Sequence, residues 1–497
     1  IFSFKTVKQL SLFIESETAV LTQVIAEQGV LDGEVPLLPI QEWFFKLVDD
    51  GLMPAYNHMN QSFLIDAPVL DVDILIRCVA KLSEYHDSLR LTYSFDKSRG
   101  VYIQSYRMSM PDIDICTIDV NSLSEPDNLS AVLTQWQSSF NIFEGQMFKV
   151  GYVYGYSDGS AKVYFALHHL IVDSVSWRIL KDHLEILYKH YEHSGINDTT
   201  SVNDILGEKS SSYRQWSQRI NHDYVDLYPQ EIEYWKEQTE DLSAVNSILV
   251  QKSAEEQVVE SISFDEETTE SLLREVNGVY NTSINDLLLT ALSLTLKEYT
   301  GSVTNYVLLE GHGRENIWDD LDTTKTVGWF TSMYPVKLSS KEDGLGNNVV
   351  SVKESLRGIP NNGIGYGAAL GYVNYELPLV SFNYLGHFDG LDGKKEWRIT
   401  SSKGIVDISP LNRFGGILSL NGAIFNKRLQ FSLHAYLSAE DTKLLMVSFE
   451  KNLKAVIDFL SKQKRSYLTL SDIDNIITSE YLDRLQSERE VENVFMA

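Results

Sequence analysis

The spacing of apolar residues along the chain changes repeatedly between the period of a strand and the period of a helix. Both kinds of segment occur in each half of the chain, and a hairpin turning near Asn426 comes late in the second half. The predicted elements are a strand at 162–167, a helix at 174–191, a helix at 285–298, a strand at 306–310, a β-hairpin at 417–436 and a helix at 441–462. This alternation predicts an α/β fold made of two lobes of related design.

A polar stretch separates the two halves. Residues 192–230 are rich in Ser, Asn and Asp, which predicts a loop, and we place the boundary between the lobes within it. The N-terminal lobe is predicted over residues 37–215 and the C-terminal lobe over residues 216–470. Residues 21–36 predict a linker ahead of the first lobe.

Size and charge narrow the class of protein. The chain has 497 residues, of which 43% are hydrophobic and 22% charged, an ordinary composition for a globular protein. Asp and Glu number 69 against 42 Lys and Arg, which gives a formal net charge of −27. Such a surface argues against nucleic acid or an anionic membrane as a partner, because both require clustered cations.

The two cysteines, Cys78 and Cys116, lie far apart and have no metal-ligand spacing. A disulfide framework and a structural metal site are therefore not expected, and a cytoplasmic location fits best. The longest apolar stretch, residues 287–296, is shorter than the roughly 20 residues that a membrane span requires.

The segment His168-His169-Leu-Ile-Val-Asp173 carries the first candidate chemistry. Adjacent strand residues point to opposite faces, so one imidazole is expected in the core and the other in a cavity. A neutral histidine is the usual general base at physiological pH. The alternative is a pair of structural histidines. Asp173, at the turn into the next helix, is suited to fixing the loop by hydrogen bonds or an ion pair.

The second candidate is Glu310, at the end of an apolar strand and followed by a glycine-rich turn. Burial there would raise its pKa and suit it to acid/base work near neutrality. Two alternatives remain open: an ion pair between Glu310 and Arg314, and a metal site formed by Glu310 with His312.

Two further segments are of interest. Residues 360–367 are glycine-rich but lack the setting of a nucleotide-binding loop, and predict a flexible loop beside a tunnel. Residues 381–386 place Asn383 and Tyr384 near a strand end. Tyr384 could donate a hydrogen bond to a developing oxyanion, although a buried Tyr bonded to the backbone is the commoner case.

Seven motifs in one order resemble the epimerization domains of non-ribosomal peptide synthetases, relatives of the condensation domains. They are Pro39–Phe45, His58–Ser62, His168–Arg178 with its His-His-x-x-x-Asp core, Glu310–Glu315, Thr326–Thr331, Gly363–Gly367 and Phe382–Gly386. The resemblance covers about residues 22 to 470. It implies a two-lobed, pseudo-dimeric fold like that of chloramphenicol acetyltransferase, with a central tunnel.

The resemblance also implies partners and neighbours. Residues 1–20 resemble the last helix of an upstream carrier-protein (thiolation) domain, and residues 471–497 resemble a tail leading to a following condensation domain. An adenylation domain is a further expected neighbour. The substrate would be an aminoacyl or peptidyl thioester on the phosphopantetheine arm of the carrier protein, and the domain would need no cofactor of its own.

By the same resemblance, His169 and Glu310 are the expected acid/base pair and Tyr384 an accessory group, with His168, Asp173 and Asn383 in supporting roles. Inverting an α-carbon needs a group on each face of a planar enolate, which these two residues would supply. The alternatives are a condensation domain that forms a peptide bond, and a catalytically silent domain that only docks carrier proteins. Two positions depart from the family pattern, Ser174 where Gly is usual and His387 where Gln is common.

Overall fold

The computed structural model describes residues 24–123, 128–340, 344–387, 396–400, 404–473, 476–488 and 491. The predicted carrier-protein helix at 1–20 lies outside these residues. Within them, none of the helices is both long and apolar enough to cross a bilayer.

Helices and strands alternate along most of the described chain. The helices are α1 (Pro39–Asp49), α2 (Val72–Tyr85), α3 (Asn128–Gln137), α4 (Ser174–Ser194), α5 (Val202–Leu206), α6 (Tyr213–His222), α7 (Tyr224–Leu227), α8 (Gln230–Gln238), α9 (Leu242–Lys252), α10 (Glu266–Glu270), α11 (Ile284–Thr300), α12 (Leu345–Arg357), α13 (Ala439–Ser461) and α14 (Ser479–Glu488). The strands are β1 (Gly33–Val35), β2 (Asn60–Ala67), β3 (Leu91–Asp96), β4 (Val101–Tyr106), β5 (Ile115–Asp119), β6 (Phe148–Tyr154), β7 (Ala161–His168), β8 (Val258–Ser263), β9 (Thr304–Gly311), β10 (Ser332–Ser339), β11 (Val380–His387), β12 (Arg398–Thr400), β13 (Leu418–Phe425) and β14 (Arg428–Ala435).

In the described part of the chain these strands form three sheets. The N-terminal lobe contains a five-stranded sheet in the order β12-β2-β7-β6-β5, and the C-terminal lobe a six-stranded sheet in the order β10-β9-β11-β13-β14-β8. A small sheet, β1-β4-β3, flanks the first lobe. The fold is mixed α/β with two lobes, as the sequence predicts.

The same unit occurs in both lobes. The β6–β7 hairpin leads directly into α4, and the β13–β14 hairpin leads directly into α13. Each of these long helices packs on an earlier helix of its lobe, α4 on α2 and α13 on α11. The lobes therefore share a hairpin-helix design. In the N-terminal lobe, the residues after β7 lie between the sheet and the helix α4.

Most predicted elements are confirmed, including both long helices, the strand that ends at Gly311 and the hairpin that turns at Asn426. The prediction of a loop over 192–230 is wrong for residues 202–227, which contain α5, α6 and α7. A periodic apolar face within a polar sequence explains the difference, because Tyr213, Trp216 and Ile220 all pack into the core.

The hydrophobic cores do not divide where the sequence changes composition. The core beside the five-stranded sheet includes Trp216 and Trp235, and also Trp329 and Tyr372 from the second half of the chain. The second core lies within the six-stranded sheet and its helices. Strand β12 also crosses over and pairs with β2, so the two halves of the chain share one sheet.

A buried ion pair holds the end of the C-terminal lobe. Lys353, on α12, is 1% exposed and donates from Nζ to Asp472 Oδ2 at 2.7 Å and to the carbonyl oxygen of Tyr280 at 2.7 Å. Burial lowers the pKa of this lysine, and the Asp472 carboxylate opposes the effect.

We expect Lys353→Ala to lower the free energy of unfolding by about 3–5 kcal/mol, because it leaves the Asp472 charge buried without its partner. Urea unfolding followed by tryptophan fluorescence measures the change. Lys451→Ala is the matched control: its pair with Glu298 is solvent-exposed, so a loss of at most about 1 kcal/mol is expected. Equal losses in the two variants would contradict this account.

Candidate active site

Strand β7 delivers the two adjacent histidines to the edge of the N-terminal lobe. His168 is the last residue of the strand, and His169 begins a short 3₁₀ turn over 169–171. The backbone N–H of His169 donates to the carbonyl oxygen of Met59 at 2.8 Å, which fixes where the turn starts. The two side chains then enter different environments.

His168 is fully buried and both its ring nitrogens have partners. Nε2 lies 2.8 Å from the carbonyl oxygen of Tyr56, and Nδ1 accepts from the N–H of Leu170 at 3.2 Å. The ring also packs edge-on against Phe44. Burial lowers its pKa to about 4, so the ring is neutral at physiological pH and serves the structure.

His169 lies in a partly open position. Its Nε2 lies 2.7 Å from the amide nitrogen of Gln61, and its ring centroid lies 4.4 Å from that of Trp329. Nδ1 is shut off from solvent and has no hydrogen-bond partner of good geometry in the described structure. Burial lowers the pKa of His169 to about 4, which keeps the imidazole neutral and able to accept a proton.

Glu310 lies near the end of β9, in the C-terminal lobe. Strands β9 and β11 are parallel, with Ser381 opposite Leu308, so Glu310 and Asn383 share one face of the sheet. Asn383 donates from Nδ2 to Glu310 Oε1 at 3.4 Å. The carboxyl group is accessible to water but enclosed by protein, and this desolvation raises its pKa, while the Asn383 bond acts in the opposite direction.

The face that carries Glu310 is turned toward the N-terminal lobe. Leu308 on that face, and Met333, which pairs with Glu310 on the neighbouring strand, both pack into the core beside the five-stranded sheet. Tyr384 follows Asn383 and packs against the second core on the opposite face. The structure therefore brings Glu310 and Asn383 together and directs Tyr384 away from them, where burial raises the pKa of its hydroxyl.

A buried ion pair joins the two lobes beside these residues. Arg314 donates from Nη2 to both carboxylate oxygens of Asp173, each at 3.0 Å, and the two side chains are 7% and 6% exposed. Asp173 also accepts from the N–H of Ser176 at 2.8 Å, as the N-cap of α4, and from the N–H of Phe330 at 3.2 Å. Asp173 thus makes both the hydrogen bonds and the ion pair that the sequence predicts for it.

The turn between Glu310 and Arg314 depends on a glycine. Gly313 has φ +65°, and a Cβ atom there would lie 1.7 Å from the carbonyl oxygen of Phe330. The tight approach brings the Arg314 guanidinium to 3.8 Å from the centroid of the Phe330 ring. The other end of the guanidinium donates from Nη1 to the carbonyl oxygens of Thr323 and Thr326.

The alternatives for Glu310 receive no support from these contacts. Arg314 pairs with Asp173 across the lobes, not with Glu310 across the turn. His312 accepts at Nδ1 from the N–H of Arg314 and lies 3.3 Å from Glu315 through Nε2. In the part of the chain that the structure describes, no three His, Cys, Asp or Glu side chains are grouped to hold a metal ion.

The glycine-rich segment at 360–367, predicted as a flexible loop, contains short helical turns in the structure. Residues 360–363 form a 3₁₀ turn and residues 366–370 a single π turn. A Cβ atom on Gly365 would lie 1.7 Å from Glu231 Oε2, so the glycines serve close packing. Asn362, with φ 50°, donates to Glu315 at 2.7 Å and ties the segment to the Glu310 turn.

Sequence reasoning missed three residues that contact the candidate groups. Gln61 and Trp329 lie against His169, and Arg314 pairs with Asp173 and not with Glu310. All three lie within the sequence motifs that resemble the family. Their residue types carried no signal of a role, because each contact joins positions more than 100 residues apart.

Comparison with known proteins identifies the family. The family model named "Condensation domain" matches residues 31–475, most of the chain. The chain belongs to the condensation-domain family. The family to which the sequence motifs point is thus confirmed, and with it the two-lobed fold.

Within the condensation-domain family, one similar relative is the N-(5-amino-5-carboxypentanoyl)-L-cysteinyl-D-valine synthase of Amycolatopsis lactamdurans. The two sequences are 39% identical over 376 residues, which is 75% of this chain and 10% of the relative. Surfactin synthase subunit 1 of Bacillus subtilis is 32% identical over 509 residues, 98% of this chain and 14% of the relative. The chain thus spans a small part of the curated relatives that it matches.

Among solved structures, the chain is similar to the epimerization domain from the third module of tyrocidine synthetase B. The TM-score is 0.72 at 29% identity, over 88% of this chain and 100% of the other. The first condensation domain of the calcium-dependent antibiotic synthetase gives a TM-score of 0.63 at 13% identity, over 88% of this chain and 98% of the other. This second likeness shows the shared fold.

We expect Asp173→Asn to lower the free energy of unfolding by about 3–5 kcal/mol, because the Arg314 charge is then buried without its counter-charge. Urea unfolding measures the loss. Asp223→Asn is the matched control, since it removes the partner of Arg219 from an exposed pair and should cost about 1 kcal/mol or less. Adding Arg314→Met to Asp173→Asn should recover part of the lost stability, because no charge is then left unpaired. If the double variant instead loses the sum of what the two single variants lose, the pairing is contradicted.

Proposed function

We propose that this domain epimerizes the α-carbon of an aminoacyl or peptidyl thioester carried on the phosphopantetheine arm of a carrier protein. The observation that carries the proposal is the placement of Glu310. Its carboxyl group is enclosed, bonded to Asn383 and turned toward the lobe that presents His169. Forming a peptide bond has no use for a second acid/base group beside the α-carbon, whereas inverting that carbon requires one.

The chemistry follows from the two groups. One removes the α-proton, the electrons pass to the thioester carbonyl and form an enolate, and the other returns a proton to the opposite face. Desolvation lowers the pKa of His169 to about 4, which favours the neutral imidazole, and raises the pKa of Glu310, which shifts that carboxyl group toward its protonated form. The pair thus favours His169 as the first base and Glu310 as the first acid, and their roles reverse in the return reaction. The role of Tyr384 as a donor to the enolate oxygen stays a prediction.

The named relatives support inversion. The Amycolatopsis lactamdurans relative is named for a product that contains D-valine, and the tyrocidine synthetase structure is itself an epimerization domain. Both similarities extend over three quarters or more of this chain. They favour a reaction that changes configuration at an α-carbon.

The proposal includes the setting of the domain. We place it in a cytoplasmic non-ribosomal peptide synthetase, after a carrier-protein domain that delivers the substrate and beside adenylation and condensation domains. The predicted lobe boundaries and the tail at 471–497 stay predictions, although Trp216 and Trp235 of the predicted C-terminal lobe pack into the core beside the five-stranded sheet. The domain itself requires no cofactor beyond the arm of its carrier protein, which would reach the site through the predicted central tunnel.

We expect the protein to introduce deuterium at the α-carbon of an L-aminoacyl thioester on a carrier protein in D₂O and to give a mixture of L and D products. His169→Ala and Glu310→Gln should each reduce inversion at least about 10²-fold, the smaller contribution of a positioned acid or base. Mass spectrometry and chiral chromatography after thioester cleavage measure both effects.

Matched controls are available for both variants. His190→Ala and Glu450→Gln remove the same residue types outside the candidate pair and should leave inversion within a few-fold of the wild type. A wild-type protein that exchanges no deuterium with aminoacyl or peptidyl thioesters would refute the epimerase proposal. Peptide-bond formation with a second loaded carrier protein would then identify a condensation domain, and neither reaction a docking domain.

We also expect the rate of inversion to depend on pH with two limbs. The rate rises as the pH rises through the His169 pKa of about 4, because the base must be neutral. It falls as the pH rises through the Glu310 pKa, which lies above the ordinary value of 4.5, because the acid must be protonated. Residual exchange in Glu310→Gln should lose the alkaline limb. A wild-type rate that keeps increasing to pH 9, corrected for thioester hydrolysis, would contradict this assignment.

A further inference from the structure

Gln61 lies in a sequence motif that neither the predicted site nor the proposed mechanism uses. It belongs to β2, which pairs with β7 so that Gln61 stands opposite Leu167, two residues before His169. Its side chain lies on the same face of the sheet as Phe63 and reaches the imidazole, with 2.7 Å between the amide nitrogen and His169 Nε2. The neighbouring Ser62 lies on the other face and bonds to Asp407.

The hydrogen bond determines which ring nitrogen carries the proton. With the Gln61 amide in this orientation its N–H donates, so Nε2 of His169 accepts with its lone pair and the proton resides on Nδ1. Nδ1 is closed off from solvent, so the ring can meet a substrate only through its other edge. A base that works through Nε2 needs Nε2 unprotonated, which is the form that the Gln61 donor stabilises.

We infer that Gln61 is a positioning residue that holds His169 in the tautomer with a basic Nε2 and releases that atom when the substrate arrives. This inference rests on the proposed function for its consequence in catalysis. The tautomer itself is a property of the protein without substrate. If the Gln61 amide were turned by 180°, its oxygen would accept from an Nε2–H and select the opposite, unreactive form.

The first experiment reads the tautomer directly. The full chain is labelled with ¹⁵N-histidine, and two-bond ¹⁵N–¹H correlations at pH 7 report which nitrogen of each ring is protonated. The chain has 11 histidines, and the signal lost in His169→Gln identifies His169. We expect Nδ1–H in the wild type. An Nε2–H signal would overturn the inference.

The second experiment removes or inverts the donor. Gln61→Leu keeps a similar length without an N–H, and the His169 signal should move toward Nε2–H. Gln61→Glu places an acceptor at the same position and should make Nε2–H dominant. Ser62→Ala is the control from the opposite face of the strand and should keep the Nδ1–H signal. An unchanged Nδ1–H signal in both Gln61 variants would show that Gln61 does not set the tautomer.

Activity provides the last measurement. In Gln61→Leu we expect kcat for deuterium exchange to fall by about 10- to 10²-fold, part of the 10²–10⁴-fold that a positioned base contributes, with KM changed less than about twofold. Gln61→Glu should fall further. Wild-type rates in both variants would overturn the catalytic part of the inference. A wild type without exchange would refute the proposed function, while the ¹⁵N spectra would still decide the role of Gln61 in setting the tautomer.

Discussion

The buried pair of Asp173 and Arg314 is the contact on which the geometry of the candidate site depends. Taking two charges out of water is costly, and only close approach with further hydrogen bonds offsets that cost. Both side chains meet this condition, since the aspartate caps α4 and the guanidinium donates to two carbonyl oxygens of its own lobe. Because the partners come from different lobes, the contact is complete only when the lobes are docked.

The pair also sets the relation between the two candidate groups. Asp173 follows His169 by four residues, and Arg314 follows Glu310 by four residues. One ion pair therefore anchors two short segments of equal length, each starting at a candidate acid/base residue. The glycine at 313 lets the second segment turn tightly enough to reach the pair. A small shift of either lobe would change the distance between the two groups, so the docking of the lobes also sets the geometry of the candidate site.

Much of this arrangement could be predicted from the sequence, because periodic apolar residues report local structure. The hairpin at Asn426, the helix after Asp173 and the strand before Gly311 all follow from local patterns. Glu310 could be nominated because a carboxylate at the end of an apolar strand is exceptional. Contacts between distant segments give no such local signal. The polar composition around Trp216 predicts a loop although the helix there has a buried face, and no local pattern indicates the contact between Gln61 and His169. The orientation of the Tyr384 side chain could not be predicted either, because it depends on which face of β11 packs against which core.

Strand β12 has a consequence for how the chain is made. It covers the edge of β2, and Arg398 pairs there with Asp66, 332 positions earlier in the chain. A ribosome that has finished the first lobe therefore leaves β2 with one unpaired edge until most of the second lobe has been synthesised. Open strand edges are templates for wrong pairing between chains. The five-stranded sheet is therefore complete only after residue 400 has been synthesised, and cutting the gene between the lobes would separate that sheet from its edge strand.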